Sequence, residues 1–431
     1  MKKPEKIQGR KGKIGRTTVR TVLIILLLFI MLMIVTGYRY HYFSIILVDE
    51  KLDSTKIEAS LSKNDFLHTS NGNIVNCSGE IITLEGVNLG GWLLQEYWMC
   101  PVQGSEEIDQ WTNLETMHVL EDRFGAKKTQ ELIAQYEDNW ITEWDIQNIA
   151  EIGCNVIRVP FWYRNFMNSP KGEWLNEDLD KNPGFQRMDW LIETAGKYGL
   201  YVILDMHGCP GGQNSDHCSG SARKSELFTN EEYQDATEKL WVAIASRYNG
   251  NPVVAAYDIM NEPQIGSAPE SAEQDPRNRL YDRLIRAIRE VDQDHILMVE
   301  GIWNLSVLPD PNEAGWNNVV YEVHPYDITD TESECQKYLE YSKRYSVPVY
   351  VGEFSDMNMM ENCRKYGIHY TSWTYKGSKH VDETWFMYYA DRMLSVNVYT
   401  DPYWLIKLKW GQCLSTQFFI ENDEILRLWG K

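Results

Sequence analysis

From about residue 83 to residue 375 the chain alternates apolar runs of strand length with longer amphipathic stretches. The runs lie at 83–88, 155–160, 200–207, 253–262, 295–300, 319–324, 347–353 and 367–375. They are rich in β-branched and aromatic residues and bounded by Gly, Pro or Asn, which predicts strands buried on both faces. Helices are predicted between them at 144–153, 187–198, 230–248, 276–291 and 332–345. Tyr233, Leu240, Trp241, Ile244 and Tyr248 fall on one helical stripe, and Leu280, Leu284, Ile285 and Ile288 on another. Eight strands with helical crossovers predict an α/β fold, a (β/α)8 TIM barrel. A doubly wound sheet is the alternative, but it would want a phosphate loop of G-x-G-x-x-G spacing after its first strand. Gly86-Val87-Asn88-Leu89-Gly90-Gly91 lacks that spacing and runs into Trp92-Leu93. Turn signals at Asn71-Gly72-Asn73 and Ser78-Gly79-Glu80 predict a hairpin that would close one end of the barrel. The pattern gives no place to the insertion at 96–139, and the stretch after Trp373 is long and aromatic.

The first 70 residues break the pattern. Residues 1–20 carry eight Lys and Arg against the single acid Glu5, and 21–37 is an uncharged apolar run closed by Arg39. A basic flank followed by such a run is the layout of an export signal. The run just reaches the roughly 17–25 residues needed to span hydrocarbon. No small-residue cleavage site follows; Tyr38-Arg39-Tyr40-His41-Tyr42 is bulky. An uncleaved transmembrane anchor is therefore expected, ahead of a cleaved signal. The segment 1–20 would be cytoplasmic, 38–70 a stalk, and 71–431 an extracytoplasmic catalytic domain. A net charge of −20 argues against a nucleic-acid partner. The eight cysteines are scattered, and Cys209 with Cys218 is the expected bridge. His207, Cys209, His217 and Cys218 match no common zinc spacing, so no metal is expected.

Chemistry gathers at the C-terminal ends of the predicted strands, where barrel enzymes place it. Glu262 ends the fourth run in Asn261-Glu262-Pro263, and Glu353 ends the seventh in Gly352-Glu353-Phe354. A carboxylate is costly to bury without a partner or a purpose. Two facing one cleft are the equipment of a glycosidase. At the roughly 5–5.5 Å spacing of retaining enzymes they repel by about 3 kcal/mol at an effective dielectric of ~20, or ~2 pKa units. One must therefore keep a proton. Arg158, near the end of the second run, would hold Glu353 ionised as nucleophile, leaving Glu262 as acid/base. Tyr326 would donate to Glu353, His324 would orient Glu262, and Asn261 would hold a sugar 2-hydroxyl. His207 ends the third run, and Trp373 on the eighth would floor a sugar ring.

At these residues the chain resembles glycoside hydrolase family 5, the cellulase-like family, from about residue 71 onward. Arg158, His207, the Asn261-Glu262-Pro263 motif, His324-x-Tyr326, Gly352-Glu353-Phe354 and Ser372-Trp373 carry the likeness. It implies a (β/α)8 fold, retaining chemistry on β-linked glycans and no cofactor. Two stretches, 86–93 and 207–214, look like the exo-β-1,3-glucanase members and bias the expected substrate towards a β-glucan. Asn88 and Trp92, in the first of these, join Trp373 as expected substrate-binding residues. The rival readings are a β-mannanase or transglycosylase on the same scaffold, and a catalytically silent glycan-binding barrel keeping aromatics such as Trp92, Trp303 and Trp373. Oligomeric state has no signature in the sequence.

Overall fold

The computed structural model describes residues 60–430 apart from 106, 109, 110, 267–270, 273, 379–384 and 391–394, together with 25, 27, 28 and 31. The expected anchor at 21–37 thus lies, but for four exposed helical residues, outside the described residues, as do segment 1–20 and most of the stalk. Among the described residues no helix is long and apolar enough to cross a membrane.

Eight parallel strands close into a barrel in chain order. They are β1 (Glu85–Asn88), β2 (Val156–Trp162), β3 (Tyr201–Gly208), β4 (Val254–Asp258), β5 (Ile296–Glu300), β6 (Val319–Val323), β7 (Val349–Val351) and β8 (His369–Ser372). All seven residues of β2 and all eight of β3 are buried, because helices cover the outside and side chains fill the inside. Around the barrel run α1 (Asn113–Phe124), α2 (Ala126–Trp140), α3 (Glu143–Ile152), α4 (Pro183–Lys197), α5 (Glu231–Tyr248), α6 (Pro276–Val291), α7 (Thr331–Tyr345) and α8 (Met357–Tyr366). Between β5 and β6 the only α-helix is the four-residue turn Pro311–Ala314. The helix starts are written in the sequence. Asn182 and Asp275 each cap a helix that opens with proline, and Asp356 accepts from Asn358 and Met359 at the start of α8. The two predicted stripes are buried as expected, save the half-buried Tyr233.

Strand ends differ from those predicted: β2 and β3 run on to Trp162 and Gly208, while β4, β6, β7 and β8 end early. β4 stops at Asp258, but Ile259 N still donates to Met298 O of β5 (3.2 Å) and Asn261 N to Met206 O of β3 (3.2 Å), so the neighbouring strands hold the backbone up to Glu262. The insertion is two further helices: α1 and α2 pack on the turn after β1, where Tyr136 Oη donates to Gly91 O (2.5 Å) and Trp140 Nε1 to Gly90 O (3.2 Å). Trp410, from the aromatic C-terminal stretch, is buried against Tyr136.

The expected hairpin forms, His68–Ser70 against Asn73–Val75, with Asn71 and Gly72 both at positive φ as a tight two-residue turn requires. It lies at the N-terminal end of the barrel, where Leu67 and Ile74 pack with Leu84, Val156, Ile203, Met298 and Val320. Leu67 is buried, so the folded body begins ahead of Asn71.

Candidate active site

Above that apolar layer the barrel interior turns ionic. Arg158 on β2 is fully buried and touches four carboxylates: Glu353 Oε1 (2.7 Å), Asp258 Oδ2 (2.7 Å), Asp205 Oδ2 (3.1 Å) and Glu322 Oε1 (3.4 Å). It also donates to Asn261 Oδ1 (2.9 Å) and Asn88 Oδ1 (3.1 Å). Asp205 and Asp258 are ladder neighbours on β3 and β4, which brings their side chains to the same level. Burial opposes a charge on Arg158, but the surrounding carboxylates outweigh it and hold its pKa well above the ordinary value. Burial raises Asp205, against the pull of Arg158 and His207. Burial and the neighbouring Glu322 raise Asp258 to about 8.

Glu353 follows Gly352, where any Cβ would fall 1.7 Å from Glu322 Oε1, so only glycine lets β7 pass that close. Its Oε1 accepts from Arg158 and its Oε2 from Tyr326 Oη (2.9 Å). Glu262 sits at φ +44°, a left-handed conformation that costs a non-glycine residue energy and here is pinned on both sides. Its N–H donates to Glu300 Oε2 (2.5 Å), and its carbonyl accepts from Asn214 Nδ2 (3.0 Å). His324 Nδ1 lies 3.0 Å from Glu262 Oε1, 3.3 Å from Glu300 Oε1 and 3.7 Å from Glu353 Oε2. Glu262 and Glu353 therefore face each other around one nitrogen, at most the sum of the first and last distances apart. Burial alone would raise the Glu262 pKa, but the His324 hydrogen bond and charge reverse this and lower it.

The two carboxylates open into a cavity of about 260 Å³ lined by Trp98, Trp373 and Trp385 and by Glu96, His207 and Asn261. Trp373 stacks on His207 (5.6 Å, 13°), whose Nδ1 pairs with Asp205 Oδ2 (2.7 Å). Burial disfavours a charge on His207, but Asp205 outweighs it and raises the pKa. Glu96 Oε2 accepts from Trp98 Nε1 (2.8 Å) and lies 3.1 Å from His217 Nδ1.

Eight of the ten expected site residues meet here: Arg158, His207, Asn261, Glu262, His324, Tyr326, Glu353 and Trp373. Two expectations need correction. Asn88 is wholly buried, with its amide spent on Arg158 and on Gly352 O (2.9 Å), so it braces Glu353 from behind and cannot reach a ligand. Trp92 is buried away from the cleft, donating to Glu137 O (2.8 Å) with its ring edge-on to Trp190, and it borders a separate cavity of about 370 Å³ beside α2. Trp303 is exposed and outside the cavity lining. Cys209 and Cys218 are both free, not bridged: Cys209 is buried under its own turn, while Cys218 Sγ faces Asn214 and Glu262 Oε2 (3.8 Å). Asp205, Asp258, Glu300 and Glu322 were missed, although each is an acid standing inside an apolar run, which was the available signal.

Residues 105–392, most of the barrel, match the cellulase family, glycosyl hydrolase family 5. The chain belongs to that family. It is 30% identical over 270 residues to a β-xylosidase of Phanerodontia chrysosporium, covering 61% of this chain and 52% of that protein. It is 28% identical over 308 residues to a probable glucan 1,3-β-glucosidase A of Neosartorya fischeri, covering 66% of this chain and 67% of that one. The chain thus spans about half the length of the first relative and two thirds of the second. Among solved structures it resembles rutinosidase from Aspergillus niger, with TM-score 0.53 and 18% identity over 69% of this chain and 90% of that one, a likeness of fold.

Proposed function

We propose that this family 5 glycosidase hydrolyses β-linked glucan with retention of anomeric configuration, through a covalent glycosyl-enzyme. The observation that carries the reading is the pair Glu262 and Glu353 facing each other around His324 Nδ1 at the floor of an aromatic-walled cavity. Their separation is bounded by the two distances to that nitrogen, which admits the ~5–5.5 Å of a retaining pair. Glu353, held by Arg158 and Tyr326, attacks the anomeric carbon while Glu262 protonates the departing oxygen. Glu262 then takes a proton from the water that releases the sugar from Glu353. Asn261, oriented by Arg158, presents its amide to the 2-hydroxyl, and Trp373 floors the ring. The names of the relatives, glucan 1,3-β-glucosidases among them, support a β-glucan over a mannan. The basic and apolar residues 1–37 support an anchored, extracytoplasmic catalytic domain. Laminarin, lichenan, cellulose, mannan and xyloglucan, incubated with the protein and followed by product size and by proton NMR of the new anomeric centre, test the reading. Soluble β-glucan products of retained configuration are expected; inverted products sink the mechanism, and activity on mannan alone sinks the substrate. Membrane fractions washed with alkali test the anchor, and release of the chain counts against it.

A further inference from the structure

The buried cluster holds more acids than bases. Asp205, Asp258, Glu262, Glu300, Glu322 and Glu353 share the barrel interior with Arg158, His207 and His324. Even with both imidazoles cationic, the acids cannot all ionise, since an uncompensated buried charge is neutralised by taking up a proton. Geometry says where one such proton belongs. Glu300 is fully buried; its Oε2 accepts the Glu262 N–H, while its Oε1 has no hydrogen-bond partner and lies 3.3 Å from His324 Nδ1. The opposite nitrogen of that ring, Nε2, is 3.2 Å from Glu322 Oε1. His324 Nδ1 thus stands between two carboxyl oxygens, one of Glu262 and one of Glu300.

We propose that Glu300 is a positioning residue and the proton partner of Glu262, exchanging one proton with it through His324 Nδ1, a reading that rests on Glu262 being the acid/base. In the resting cleft Glu300 is the neutral acid, His324 the cation and Glu262 the carboxylate. As the glycoside binds, the Nδ1–H bond breaks and a Glu262 Oε1–H bond forms. Glu300 Oε1–H then gives its proton to Nδ1 and is left as carboxylate beside cationic His324. One proton has moved from Glu300 to Glu262, and net charge is unchanged. When leaving-group departure takes the proton from Glu262, the incoming water returns one, and the relay runs back once product leaves. The groups facing Glu300 favour this placement. Burial raises its pKa well above the carboxylate range; His324 opposes that, and Glu322 of β6, Glu262 and Asp258 of β4 add to it. From α6, Tyr281 Oη accepts the Glu300 N–H (3.1 Å) and fixes its backbone. Burial opposes a charge on His324, and the acids around it, Glu300, Glu353, Glu262 and Glu322, raise its pKa well above the ordinary value; while Glu300 holds the proton, the Glu353 charge and the hydrogen bonds to Glu262 and Glu322 are what favour the cation.

Glu300→Gln tests this, because the amide oxygen can still accept from Glu262 N–H while the proton and the charge are gone. On an unactivated oligosaccharide the alkaline limb of kcat/KM should move to lower pH by about one unit or more, with kcat at pH 7 down about tenfold. On an aryl glycoside with a good leaving group, whose first step needs little acid, the rate of glycosylation should stay within about twofold. An unchanged pH profile, or equal loss on both substrates, overturns the relay and leaves a backbone clamp. Should Glu300→Gln not fold, 15N NMR of the native His324 ring decides: a cation throughout the active pH range supports the relay, and a neutral ring at pH 7 overturns it. Inactivity of the native protein on every glycoside would instead defeat the assignment of function, before Glu300 is reached.

Discussion

The two ends of this barrel are built from the same eight strands and obey opposite rules. At the N-terminal end Tyr201, Ile203, Ala256, Met298, Val320 and Tyr350 fill the interior, and a hairpin closes it. A few residues further along the same strands, Arg158, Asp205, Asp258, Glu300 and Glu322 are equally buried, and all five are ionisable. The lower layer stabilises by removing apolar surface from water, about 25 cal/mol per Å². The upper layer gains little net stability from its ion pairs, since desolvation offsets most of the attraction. What it gains is a set of buried carboxyls held within a few ångströms of one another and of His324, the arrangement that the proposed proton exchange needs. Stability and chemistry are separated along the strand axis, as barrel enzymes generally arrange them.

The sharpest way to break that division is at Glu353. Glu353→Gln should lower turnover by about ten-thousand-fold while urea unfolding stays near that of the native protein; near-normal activity would remove Glu353 from the role of nucleophile. Glu262→Ala should cost about 10²–10⁴ on natural glycans and far less on aryl glycosides with good leaving groups, and equal losses would count against an acid/base. Arg158→Met should cost both activity and stability, about 3–5 kcal/mol at pH 7, since it strands the carboxylates around it. That deficit should shrink as pH falls and those carboxyls protonate, which urea midpoints at pH 7 and pH 5 would show.

Proton linkage separates the ends more finely. Below the barrel, burial alone would raise Asp292, but hydrogen bonds from His295 and Tyr257 outweigh it and hold the carboxyl at about 2. Its folded pKa is below its unfolded one of about 3.9, so its stabilisation is present above pH ~4 and lost as pH falls through that of the folded group. Asp258, raised to about 8, has the opposite sign: stability falls as pH rises from about 4 to 8. Asp292→Asn should flatten the acid side of stability against pH, and Asp258→Asn the neutral side; interchange of these effects would refute the contrast. The smallest effect belongs to Ile203→Val in the lower layer, about 0.5–1.5 kcal/mol of stability with the pH profile of activity unmoved.

Much of the site was legible in the sequence because barrel strands expose their C-terminal ends to one cleft, so polar residues at or near the ends of apolar runs point to Arg158, His207, Glu262, His324 and Glu353. Asn88 was misread for the same reason: it ends a strand, but its amide turns inward to Arg158 and Gly352. Helices α1 and α2 escaped notice because much of their surface is polar, and they bury only spaced residues such as Leu120, Leu132, Tyr136 and Trp140.

Periodicity and strand-end chemistry, both local properties, determined the barrel, the order of its strands and the two glutamates. Which buried carboxyl holds a proton was decided only in three dimensions. A pKa depends on burial and on charges a few ångströms away, and Glu262 after β4, Glu300 at the end of β5 and His324 after β6 meet only when the barrel closes.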